Sequence, residues 1–522
     1  MSGPDTIRSA SLATKAALSA IATLALTVSG AAATIIVARV LGPTGTGDVA
    51  YAMWAALAAS QVAGLALPQV AMRYLAAEGA GLAAGIARWV ATRSAGSAVL
   101  AAALAAAVVH VGARSRTTEL VAMTATFAGL QTVGTAGQSL LAGRQSFRSL
   151  ALLSGLSAAV QLVGVTIGAI SSGSAGALVG YAAAQAVLAT AVLVHADGAQ
   201  PLTPHLLRRM RSYALHSWLA TVVSLFAWSR LEVLFIERSS GAGAVAMYSV
   251  ALTLSQLATQ PTLLLGGALL PHFAALQAGG IDRIEAAFGT VIRIFSALTL
   301  PLCFGIAALS PAIVELLFGA AFAGAVVPTA VVVAFAGFGA MGSATSSLLY
   351  ALERASFISR AGVLAAVAAV VTYAVAIPAW GATGAGAARS FVQGAATVAG
   401  FVYIVRVVRL RVPTGNILRS VAAALPAAIA GGVVLLVAGR SWGALAVAIC
   451  VVIATHVFLG RAFRILAPVD FEHVQNWLAG TPLPAKRQLQ SLIAFMAHVP
   501  VADPCRSVAE RRHETSRRET SP

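Results

Sequence analysis

The chemistry open to this chain lies in a few charged side chains set inside or at the ends of long apolar runs. Arg230, Glu232 and Glu237 share one such run, Arg39 and Arg238 stand at the ends of two runs, and Arg73 closes a third. On insertion scales an Arg at the centre of a membrane helix costs about 2.5–3.5 kcal/mol, so an ionisable group held there marks a functional site by default. Arg230 is the leading candidate, and its other reading is a structural ion pair with Glu237, seven residues on and on the same helical face. Glu232 lies on another face, where it pairs with an Arg of a neighbouring helix or takes up a proton or sodium ion in coupling.

Other chemistries are excluded by composition. Lysine occurs only at Lys15 and Lys486, neither after a glycine loop, so the chain does not hold ATP by a P-loop. Cys303, Cys450 and Cys505 form no CxxC, and the nine His show no ligand pairing, so neither a zinc site nor a disulfide framework is expected. The acidic residues are scattered, with no carboxylate pair in an external loop of the kind a membrane glycosyltransferase needs. We expect no catalytic residues, no metal and no cofactor: the chain is not an enzyme.

The elements that position these residues are membrane helices. The 522 residues are 59% hydrophobic and 10% charged, where a soluble domain carries about 25% charged. The apolar residues come in runs of eighteen or more, which gives an all-α polytopic membrane protein with about 14 transmembrane helices. The seventh is expected over 214–236. The first apolar run resembles a secretory signal but extends to Ala38, span length, and is expected to be retained.

Two stretches repeat. With an offset of 199, Arg39 falls on Arg238 and Gly42 on Gly241; four residues further out of step, Leu67-Pro68 falls on Leu270-Pro271. We therefore expect two pseudo-symmetric six-helix lobes, 1–200 and 214–411. A cytoplasmic amphipathic linker at 201–213 joins them. An extra transmembrane helix pair at 412–465 and a cytoplasmic, largely disordered basic tail at 466–522 follow. Pro204 to Tyr213 and Ile281 to Ile294 mix Arg with apolar residues and are expected to lie in the membrane interface.

Net charge is +17, and its placement decides its meaning. The loops on the side of the N-terminus carry sixteen basic residues, against six on the other side. This is the positive-inside pattern, with both termini cytoplasmic. It makes the basic charge a collar for membrane lipids, and no nucleic acid is expected as a partner.

Five motifs in order carry a resemblance. They are Ala38-Arg39-Val40-Leu41-Gly42-Pro43 with Gly47; Arg230-Leu231-Glu232; Gly241 with Tyr248-Ser249-Val250-Ala251 and Leu270-Pro271; Leu317-Phe318-Gly319-x-x-Phe322; and Gly381-x-x-Gly384-Ala385-x-x-Ala388. Over about 15–405 the chain resembles the Wzx-like oligosaccharide flippases, related to lipid II flippases and to the multidrug/oligosaccharidyl-lipid/polysaccharide exporters. The resemblance implies transport of an undecaprenyl-pyrophosphate-linked oligosaccharide from the inner to the outer leaflet of the bacterial plasma membrane by alternating access. Polymerases and glycosyltransferases acting on the same carrier are its implied neighbours. The alternative is an ion-coupled drug or small-solute antiporter of the same fold.

For that cargo Arg230 supplies a cation to the pyrophosphate, since a guanidinium binds phosphate oxygens bidentately. Arg39 and Arg238 flank the cavity exit or snorkel to headgroups. Arg73 meets the incoming pyrophosphate or serves the positive-inside bias alone. Relatives commonly carry Asp where this chain has Glu232, and many stop at twelve helices. The extra pair here holds the lipid tail or packs on the outside.

Overall fold

The computed structural model describes residues 4–75, 80–112, 117–193, 200–228, 230–266, 269–467, 470, 490 and 494–496. Among them no strand occurs. The helices are α1 (Pro4–Ala63), α2 (Leu67–Leu75), α3 (Ala80–Gly112), α4 (Thr118–Gly143), α5 (Phe147–Leu193), α6 (Pro204–Trp228) and α7 (Glu232–Ser240) in the first part of the chain. There follow α8 (Ala242–Gly266), α9 (Leu269–Leu276), α10 (Ile281–Phe318), α11 (Val326–Ala351), α12 (Ala355–Tyr403), α13 (Thr414–Ala438) and α14 (Trp442–Ala462).

Nine helical stretches among the described residues are long and apolar enough to cross a membrane. Three of these, α1, α5 and α12, are interrupted by a glycine with positive φ: Gly42, Gly173 and Gly381. A residue with a Cβ rarely adopts that backbone, so the apolar run reverses there. In α5 the two arms pack antiparallel: Ser157 Oγ donates to the Ala184 carbonyl at 2.8 Å, and Gly164 and Gly168 lie against Gly180 and Gly176. Counting each hairpin as two crossings and adding α4 and the α6–α7 pair gives the expected fourteen.

The repeat is written in the backbone. Gly42 (φ 66°, ψ −171°) and Gly241 (φ 82°, ψ −179°) share one conformation, and Gly173 (61°, −139°) and Gly381 (54°, −131°) share another. In each lobe a short helix that opens near a proline follows the second crossing, Pro68 in α2 and Pro271 in α9. The extra pair α13–α14 packs on α10 through Leu309, Ala312, Ala427 and Ala448. The core is alanine-rich, as close helix approach in lipid requires. Large apolar side chains such as Val99, Leu364 and Leu436 point outward, which suits a lipid solvent.

The two segments expected in the interface are the first turns of longer helices. Pro204 to Tyr213 runs unbroken into α6, and Ile281 to Ile294 into α10. Past α14, Asp470 is buried and accepts from Nε and Nη2 of Arg293, at 2.9 and 2.6 Å. Met496 packs with Ile465 and Leu466 on the same side. Residues 502–522 lie outside the described residues.

Glycine at 180 is what lets the α5 arms touch, since a Cβ there would collide with the backbone of Gly164 and Val165. Gly180→Val should therefore lower the thermal midpoint of the detergent-solubilised protein by an amount equivalent to about 1–3 kcal/mol, the usual cost of overpacking. Gly155→Val on the same hairpin, which meets open space, should leave the midpoint within error.

Candidate functional site

A cavity of about 1040 Å³ lies between the lobes. The first lobe contributes both arms of α1, from Ser19 to Leu57, and Tyr181 of α5; the second contributes Arg230, Val233 and the inner face of α8 from Val245 to Leu263. Among the described lining residues Arg230 is the one charged side chain.

Arg230 does not sit in a continuous helix. The expected helix over 214–236 is interrupted between α6 and α7, and Arg230 itself takes φ 59°. For a residue with a Cβ this region of backbone space costs about 1–3 kcal/mol and recurs at ligand-binding sites. A broken helix at mid-membrane is tolerated where the freed backbone lines a cavity, which is what this break does. The break also removes the basis for placing Glu237 on the face of Arg230, because seven-residue spacing holds only along an unbroken helix. The charged neighbours of Arg230 are Glu232 and Arg389. Glu237 is buried and interacts with Asp48 and Tyr51 of the first lobe.

Glu232 is the centre of the charge cluster. Its side chain is 1% exposed, and its Oε1 accepts from Arg389 Nη1 at 2.8 Å and from the Tyr248 hydroxyl at 2.6 Å. Tyr373 also reaches the carboxylate and the guanidinium. Tyr248 lines the cavity, so the charge cluster adjoins it through this side chain. Arg389 pairs with the one carboxylate and Arg230 stands near both, which leaves a positive excess at the cavity wall.

The remaining expected residues are dispersed. Arg39 leaves its own lobe and donates from Nε to the Leu317 carbonyl at 2.9 Å and from Nη2 to the Leu316 carbonyl. These are end carbonyls of α10, where cations are favoured. Beside it, Gly47 sits against the Ala242 carbonyl, leaving no room for a Cβ. These contacts join the lobes at the end of the Gly42 and Gly241 turns. Arg238 is exposed in the last turn of α7. Arg73 lies outside the cavity lining, its guanidinium 4.4 Å from the centre of the Tyr213 ring.

Sequence reasoning missed Arg389, Tyr248 and Tyr373 as site residues. Arg389 stands eight residues past Gly381, inside the second arm of α12. The signal was available, because a buried Glu232 in an apolar run demands a cation and Arg389 is another Arg within such a run.

A family model described as polysaccharide biosynthesis protein matches residues 36–328. No curated protein matches. Among solved structures the chain is similar to the lipid II flippase MurJ in an inward closed conformation, at 14% identity and a TM-score of 0.69, covering 85% of this chain and 98% of that one. It is also similar to an inward-facing multidrug resistance MATE family transporter of the MOP superfamily, at 17% identity and a TM-score of 0.61, covering 72% and 93%. A MOP superfamily transporter from Pyrococcus furiosus matches at 17% identity and a TM-score of 0.56, covering 76% and 94%. At these identities the likeness establishes the fold.

Removing one partner of a buried ion pair leaves an uncompensated charge, at a cost of about 3–5 kcal/mol. Arg389→Leu should therefore destabilise the purified protein by about that amount, and Arg389→Leu with Glu232→Gln by less than half of it. A thermal or denaturant double-mutant cycle reads both. A double-variant loss equal to the sum of the two single-variant losses would show that the pair is uncoupled.

Proposed function

The chain belongs to the polysaccharide biosynthesis protein family, and from that premise we propose that it is a flippase for undecaprenyl-pyrophosphate-linked oligosaccharides. One observation carries the reading: the wall of a large interlobe cavity bears a single charged residue among its described members, and that residue is the cation Arg230. A lipid-linked sugar has a hydrocarbon tail that stays in the bilayer, a pyrophosphate that needs fixed cations and a head that needs room. Arg230 stands where the pyrophosphate would be held, backed by Arg389 across Glu232. The anion would enter a site whose positive excess is already in place, so little reorganisation accompanies binding.

Rocking of the lobes would carry the head across. With both termini in the cytoplasm, as the arginine bias indicates, the Gly42 and Gly241 turns lie on the outer side. The cavity then extends from Ser19, near the inner surface, towards a closed outer end held by Arg39 and the Gly47–Ala242 contact. This arrangement suits a carrier ready to take cargo from the inner leaflet of the bacterial plasma membrane. No step in this cycle calls on a nucleotide or a metal. Enzymes that build and extend the same glycan are the natural neighbours of such a carrier.

In a deletion strain complemented with Arg230→Ala, surface glycan should fall by roughly tenfold or more, since a hydrogen bond to a charged group contributes about 1.5–3 kcal/mol. The lipid-linked precursor should accumulate in the inner leaflet. Should the deletion leave precursor distribution unchanged and instead sensitise cells to cationic dyes, the cargo is a drug or small solute and the flippase reading fails.

A further inference from the structure

Among the polar residues that line the cavity besides Arg230, two sets form facing ladders. Thr23 and Thr27 lie one turn apart on α1, while Ser249, Thr253, Gln256 and Gln260 follow one face of α8, and all six line the cavity. The ladders belong to different lobes and meet where Gln260 Nε2 donates to Thr27 Oγ1 at 2.6 Å. Every hydroxyl of these ladders already uses its proton. Thr23 donates to the Ser19 carbonyl at 3.0 Å, Thr27 to Thr23 at 2.9 Å, Ser249 to Ala246 at 2.8 Å and Thr253 to Ser249 at 2.8 Å. With its proton turned into its own helix, each hydroxyl presents only lone pairs to the cavity. The ladder is thus a wall rich in acceptors, with Gln256 and the second proton of the Gln260 amide as its donors.

Such a wall discriminates. A sugar hydroxyl brings a proton to each acceptor, whereas a carboxylate or phosphate substituent is acceptor-only and faces lone pairs with lone pairs. An acceptor buried without a donor loses its hydration uncompensated. We propose that these ladders are the sugar subsite of the carrier and select neutral, hydroxyl-rich glycans over glycans bearing uronate or phosphate substituents. The proposal rests on the lipid-linked-glycan reading and adds the class of head group to it. The Thr27–Gln260 bond spans the two lobes, so a sugar entering between the ladders must part it and replace its partners.

The test uses the full chain in nanodiscs of phosphatidylethanolamine and phosphatidylglycerol. Two radiolabelled probes are compared, undecaprenyl-pyrophosphate carrying a neutral glucose disaccharide and the same lipid with glucuronic acid as the outer sugar. The neutral probe should bind at least about tenfold tighter, a difference of about 1.4 kcal/mol. Gln256→Arg, at an exposed cavity position, should raise affinity for the uronate probe until the preference vanishes. Thr253→Val should weaken the neutral probe about threefold and leave the acidic one unchanged. Equal wild-type affinities, or a preference untouched by both variants, would overturn the ladder as selector while leaving the carrier reading intact. Binding of neither probe would remove the carrier reading, and the subsite with it.

Discussion

A carboxylate withdrawn from water inside a membrane protein costs several kcal/mol after relaxation, and it stays charged only where cations and donors are already aimed at it. Glu232 meets that demand through Arg389 and Tyr248, with Tyr373 beside them. These partners come from α8 and from both arms of α12. Along a straight helix Tyr373 and Arg389 would stand about 24 Å apart, too far to share one carboxylate. The reversal at Gly381 brings them together, and the positive φ of that turn is why glycine occupies it. The closing of the second lobe and the neutralising of Glu232 are thus one event.

The same pair sets the character of the cavity. Arg389 alone would balance Glu232, and Arg230 adds a second cation at the wall. Its helix gives way between α6 and α7, so the cation is held at a turn rather than within a continuous helix. In lipid such a break is stable only beside protein or a water-filled space, and here the space is the cavity. At the other end the lobes are held by backbone contacts: the α10 carbonyls that accept from Arg39, and Gly47 pressed on Ala242. Contacts of this kind depend on shape and can be broken and remade as units.

Much of this was legible in the sequence. Apolar runs and arginine placement define the fourteen crossings, because burial in lipid leaves helices as the only solution for an open chain. The 199-residue offset marks Gly42 and Gly241 as equivalent, and the backbone angles agree. What was hidden depends on three-dimensional proximity. Tyr373 and Arg389 lie more than a hundred residues from Glu232, and no periodicity links them to it. The helix break at Arg230 was hidden for another reason, since no Pro or Gly marks it. The hydroxyl ladders were in plain view as Thr and Ser in apolar runs, but the direction of each proton emerges only from the helix that accepts it.

The two lobes share a backbone and divide the chemistry. At the 199-residue offset, Arg230, Glu232 and Tyr248 correspond to Ala31, Ala33 and Val49. The first-lobe helix carries no charge there and runs unbroken through these alanines, while its partner breaks at the arginine. Ala31 and Val49 line the same cavity as Arg230, so the small side chains of one lobe leave room opposite the cation of the other. Had both lobes carried the arginine, a second guanidinium would face Arg230 across the cavity, adding mutual repulsion. A cavity with one wall cation thus requires the repeat to be unequal at these positions, however closely its turns are matched.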